Sequence, residues 1–106
     1  MRYQGYRVPL VTGTTSRDLA GSLTYYFDSS LKLRRITFLG TTGAPDEVIE
    51  FLARRFRFTR HDTGNARVTT YWARYGYTGL LEVTPAEVLS HDQSGKNYQL
   101  NLSIER

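Results

Sequence analysis

Only one stretch of this chain places apolar residues at helical spacing. From Asp46 to Phe56, the side chains of Val48, Ile49, Leu52 and Phe56 fall on one helical face. Pro45 suits the first helical position, where its missing N–H is no loss. Asp46 and Glu47 complement the positive end of the helix dipole, and Arg54, Arg55 and Arg57 the negative end. Glu50 and Arg54 stand at the favourable i, i+4 spacing. Every other element-like segment reads as a strand. A lone short helix must pack on a sheet, and its width limits how much of that sheet it can cover.

Tyr6 to Val11 is extended, but Pro9 cannot donate to a ladder and confines it to an edge or an irregular arm. Thr12 to Gly21 is loop-like. Ser22 to Phe27 and Lys32 to Leu39 are strands by their β-branched and aromatic content. Asp28 to Leu31 forms the turn between them, because Asp and Ser can bond their own backbone. After a loop at His61 to Asn65, Arg67 to Tyr75 reads as a strand, Gly76 to Gly79 as a turn, and Leu80 to Thr84 as a strand. A second loop, Pro85 to Lys96, leads to Asn97 to Glu105. There Tyr98, Leu100, Leu102 and Ile104 alternate with Gln99, Asn101 and Ser103, so one face is buried and one is wet.

These elements predict a single α+β domain over residues 1–106. It has two layers, a curved antiparallel sheet of five or six strands with one α-helix packed on one face, in the order β-β-β-α-β-β-β. The expected core is Leu23, Ile36, Phe38, Val48, Ile49, Leu52, Phe56, Leu81, Val83, Leu100, Leu102 and Ile104. A helix about 10 Å across covers two or three strands spaced about 4.8 Å apart. Part of one face is therefore expected to stay bare for a partner unless the sheet curls around the helix.

QGYRVPLVTGTTSRDLAGSLTYYFD and LRRITFLGTTG resemble the C-terminal region of an uncharacterised family of planctomycete proteins, most strongly from Tyr6 to Gly43. The resemblance implies a module of a larger, envelope-associated protein; it implies no activity and no catalytic residues. The hairpin YYFDSSLKLRRITF is also similar to hairpins in small envelope-associated domains that bind proteins. Met1 is compatible with a start residue added to a domain excised from a longer protein.

The absence of Cys excludes disulfides and thiolate metal sites and leaves the compartment open. No apolar run approaches the roughly 20 residues of a membrane-spanning helix, so no transmembrane segment is expected. The net charge is +4, and twelve of the fourteen basic residues are Arg. That favours anionic partners, although GC-rich coding enriches Arg without any function attached.

Four chemistries come into question for such a chain. The loop Gly40-Thr41-Thr42-Gly43 before the helix has the layout of a phosphate cradle. Pro45 removes a donor, however, Asp46 and Glu47 place negative charge where the anion would sit, and no Lys follows. It reads as a connector. His61-Asp62 and His91-Asp92 could in principle ligate a metal, but adjacent residues rarely point at one centre, so turn-forming Asp beside a surface His is preferred. No metal and no cofactor is expected. No nucleophile motif is present and no catalytic residue is assigned.

The fourth is binding. Tyr26, Arg34, Arg35, Tyr71, Trp72, Arg74 and Tyr75 lie on or beside strands and mix basic with aromatic side chains. Aromatic residues on a sheet stack bases while Arg contacts phosphate, although no RNP-like motif accompanies them. The same residue types mark protein interfaces. A non-catalytic accessory or protein-interaction module, including self-association through the sheet, is the preferred function. A nucleic-acid or polyanion binder is the alternative.

Overall fold

A computed structural model describes residues 3–86 and 98–106. In chain order the elements are β1 (Gln4–Val11), β2 (Ala20–Phe27), β3 (Leu33–Thr42), α1 (Pro45–Phe56), β4 (Thr59–His61), β5 (Thr69–Arg74), β6 (Thr78–Pro85) and β7 (Tyr98–Glu105). All seven strands form one antiparallel sheet in the order β1-β2-β3-β7-β6-β5-β4. The last strand thus enters the middle, between β3 and β6.

The expected α+β domain of five or six strands is corrected by this topology. Seven strands against one helix of 12 residues make the domain predominantly β. The extra strand, β4, has three residues, all exposed. With neither face buried it carries no apolar alternation, so its sequence gave no strand signal. β3 also runs through Gly40, Thr41 and Thr42. The strand-to-helix connector is therefore only Gly43 and Ala44.

One row of register partners crosses the whole sheet on the helix side: Val8, Leu23, Phe38, Leu102, Leu81, Tyr71 and Arg60. Phe38 and Leu81 near the middle are 5% and 0% exposed, whereas Val8 at one end is 42% exposed. The helix lies over the centre, anchored by the buried Leu52 with Val48, Ile49 and Phe56 packed around it. Burying one such leucine contributes about 1.5–3 kcal/mol. Eleven of the twelve expected core residues belong to this cluster, and Ile36 does not.

The cluster also contains Phe58 and Ala73, which the periodicity missed. Arg57, left-handed at φ 59°, ends the helix and turns the chain back. Phe58 then donates its N–H to the Leu52 carbonyl at 3.3 Å and lays its ring over Gly79. A Cβ on Gly79 would lie 2.4 Å from the Phe58 ring. Gly79, expected in a turn, is in fact a buried residue of β6 whose missing side chain makes room for an aromatic ring.

The β2–β3 hairpin turns as expected. Asp28 Oδ1 accepts from the N–H groups of Ser30 (2.8 Å) and Lys32 (3.1 Å). Leu31 completes the turn in the left-handed region at φ 62°, although its side chain is 76% exposed. The β1–β2 loop is organised by Asp18, which accepts from the Thr12 hydroxyl (2.9 Å) and from the Thr15 N–H (3.0 Å) and hydroxyl (2.7 Å).

Leu31→Gly should raise stability by up to about 1 kcal/mol in chemical denaturation, because it relieves left-handed strain and gives up no buried surface. Gly79→Ala should cost about 1–3 kcal/mol in the same assay, because Phe58 must leave its place to admit the methyl group.

Candidate interaction surfaces

The seven residues singled out from sequence divide between the two faces and the two ends of the sheet. Tyr26, Arg35 and Arg74 lie on one register row of the face opposite the helix, where Gly5, Tyr26, Arg35, Glu105, Thr78 and Arg74 follow one another across the strands. Trp72 occupies the adjacent row beside Leu80. Three strand spacings, about 14 Å, separate Arg35 from Arg74. Tyr71 projects to the helix side and packs half-buried on the core. Tyr75 sits in the β5–β6 turn, 59% exposed. The sheet therefore does not gather these residues into one site.

At the β2–β3 end the charges are answered. Arg35 Nε approaches Glu105 Oε2 at 2.9 Å, and its guanidinium lies 4.9 Å from the Tyr26 ring centre. Arg34, beside the register shift at Tyr26 and Phe27, approaches Asp28 Oδ2 at 3.5 Å. Neither Nε–H is aimed well enough at its carboxylate to count as a hydrogen bond. These are neutralising contacts, of the kind worth little to stability.

The β4–β5 end differs. Arg57, Thr59, His61, Trp72, Arg74 and Tyr75 line one depression of about 480 Å³ with no carboxylate among them. His61 stacks on Trp72 with ring centres 4.4 Å apart and planes 22° apart. The Arg57 guanidinium lies over the Tyr75 ring at 4.2 Å. Sequence reasoning overlooked Arg57 and His61 here. No sequence signal marks them, because they reach Trp72 and Tyr75 only through strand pairing.

The helix leaves the β1–β2 side of its own face bare. By register Tyr6, Val8, Leu23, Tyr25, Phe27 and Ile36 share that face. Tyr6 is 51% exposed and meets Phe27 edge-on at 5.8 Å. Phe51, 54% exposed, lies on the flank of the helix opposite Ile49, with its ring centre 6.1 Å from that of Phe56. None of these residues was expected at an interface; Leu23 and Ile36 read as core, and the others carried no signal of their own.

At the helix N-terminus, Thr42 is fully buried; its hydroxyl accepts from the Ala44 N–H (3.1 Å) and donates to the Arg17 carbonyl (3.3 Å). Arg17 pairs with Glu47 across the adjoining cleft of about 360 Å³, so the chain's own side chains occupy the place an anion would take. Asp62 Oδ1 caps its own turn by accepting from the Gly64 N–H at 2.8 Å. His91 and Asp92 lie outside the described residues. Among the described residues no three His, Asp or Glu side chains converge, and no helix is long and apolar enough to cross a membrane.

Asp28 is the acid-sensitive group of the hairpin. The Lys32 N–H first, then the Ser30 N–H and the Arg34 and Lys32 charges, hold its carboxyl below the ordinary aspartate range, and they outweigh an opposing effect of burial that is second in size only to the Lys32 bond. Its folded value is depressed, so its contribution is complete above the unfolded value and is lost as pH falls through the folded one. Urea midpoints recorded against pH should show wild type losing stability relative to Asp28→Asn over that acidic window, with no change in the gap near neutrality.

No curated protein matches the sequence, and no solved structure matches it. The sequence profile of a family of unknown function, DUF6690, matches residues 1–106, and the chain belongs to that family along its whole length.

Proposed function

We propose that this domain is a non-catalytic interaction module that self-associates through the part of the sheet its helix leaves bare. One observation carries the reading: Tyr6, Val8 and Leu33 are 51%, 42% and 39% exposed on a continuous apolar face with Leu23, Tyr25, Phe27 and Ile36. Contiguous exposed apolar surface of this kind marks association sites.

A second copy of the chain fits this face. The helix-side residues of β1 and β2 include no charged side chain, and Arg34, between Leu33 and Ile36 on β3, stands against Asp28, so two positively charged molecules meet there with little like charge opposed. β1 is also the longer of the two sheet edges, with eight residues against three in β4. A two-fold arrangement would set Tyr6 and Val8 of each copy against those of the other, as an isologous interface requires. The resemblance from Tyr6 to Gly43 supports the finer reading that the module belongs to the C-terminal region of larger, envelope-associated planctomycete proteins.

Sedimentation velocity over a range of concentrations tests the association. Mass should rise with concentration, and Tyr6→Lys with Val8→Lys should weaken association at least about tenfold while leaving the circular dichroism unchanged. A wild-type chain that stays monomeric at the highest soluble concentration would remove the proposal.

A further inference from the structure

A second surface, at the opposite edge of the sheet, points to a different ligand. We propose that the depression between β4 and the β5–β6 turn binds single-stranded nucleic acid, with Trp72 as the base-stacking platform and Arg57 and Arg74 as phosphate contacts.

The distribution of paired charge locates it. Arg17, Arg34, Arg35 and Arg54 each stand against a carboxylate, Glu47, Asp28, Glu105 and Glu50 respectively. Arg57, Arg60, Arg67 and Arg74, on or beside β4 and β5, have no ion pair among the described residues. Four of the seven arginines without an ion pair among the described residues thus lie at this edge, the others being Arg7, Arg55 and Arg106, and together they can focus attraction on an anion. Of the three arginines expected from sequence to contact an anion, Arg34 and Arg35 already stand against carboxylates, and Arg74 does not.

The aromatic side chains set the class of anion. Trp72, the only tryptophan in the chain, is 40% exposed, and Tyr75 is 59% exposed. Side chains of this size ordinarily contribute by burial. His61 covers Trp72 on the β4 side. Toward β6, Trp72 borders a second hollow of about 200 Å³ with Thr78 and Leu80, open to solvent and mostly apolar. A flat ring reaching that hollow finds an aromatic neighbour and an apolar floor, with the Arg74 guanidinium at the rim. Phosphate alone has no use for this floor. A duplex hides its base faces in its own stack, whereas a single strand presents them to aromatic residues and its backbone to arginines.

The single tryptophan makes the test direct. A labelled single-stranded oligonucleotide is titrated by anisotropy at low and at physiological salt, and the intrinsic fluorescence of Trp72 is followed in parallel. Saturable binding at physiological salt with quenching of Trp72 is expected. Trp72→Ala should weaken binding about tenfold or more, with partial recovery in Trp72→Phe. Arg57→Gly combined with Arg74→Gln should reduce the slope of log affinity against log salt by about 1.4. Glycine keeps the left-handed backbone at Arg57, so this variant should retain the wild-type thermal melt. Arg34→Ala with Arg35→Ala should leave affinity unchanged.

Binding that leaves Trp72 fluorescence untouched would overturn the proposal, as would loss of affinity in the Arg34 and Arg35 variant alone. Heparin that matches the oligonucleotide in affinity would overturn base stacking as the source of binding. An absence of saturable binding at physiological salt would dispose of the site. The outcome is independent of the self-association, because Tyr6 and Val8 lie at the far edge of the sheet.

Discussion

A single helix about 10 Å across cannot cover seven strands spaced about 4.8 Å apart, and the rest of the molecule follows from that mismatch. The core forms where the helix sits, around Leu52, Phe38, Leu81 and Leu100. Exposure rises toward the edges. The domain is an elongated slab, 46 × 30 × 23 Å, with a radius of gyration of 14.6 Å against about 13 Å for a compact chain of this length. A fold of this shape has unusually much sheet surface left over, and its two ends have been furnished differently.

The close packing beneath the helix depends on absent side chains. Phe58 reaches Gly79 on β6, and Phe38 reaches Gly40 on its own strand, so the tips of two large rings occupy space that a Cβ would take. Arg57 makes the first of these possible. Its left-handed backbone ends the helix and directs Phe58 inward, while its guanidinium swings out over Tyr75. One residue therefore links the helix terminus, the buried aromatic and the cationic edge.

The two leftover surfaces differ in chemistry. The β1–β2 flank is apolar and uncharged, which suits a copy of itself. The β4–β5 edge is cationic and aromatic, which suits an anion with flat rings. Between them, Glu105 and Asp28 answer the arginines of β3, and the largest group of unanswered arginines is left at the β4–β5 end. Neither surface requires the other.

Local signals determined much of this protein. The helix, its proline start and its charged ends were legible because each depends on neighbours in sequence, as were the β2–β3 turn at Asp28 and the alternation of β7. Eleven core residues followed from the same periodicities. What lay beyond reach was whatever depends on strand order. β4 is too short and too exposed to alternate. Placing β7 between β3 and β6 decides that Glu105 neutralises Arg35 and that Arg74 stands apart from it. No sequence window contains those pairs. Residues such as Tyr6 and Val8 carry an apolar strand pattern that is the same whether a helix covers them or not. Only the tertiary structure, through the finite width of one helix, leaves them exposed.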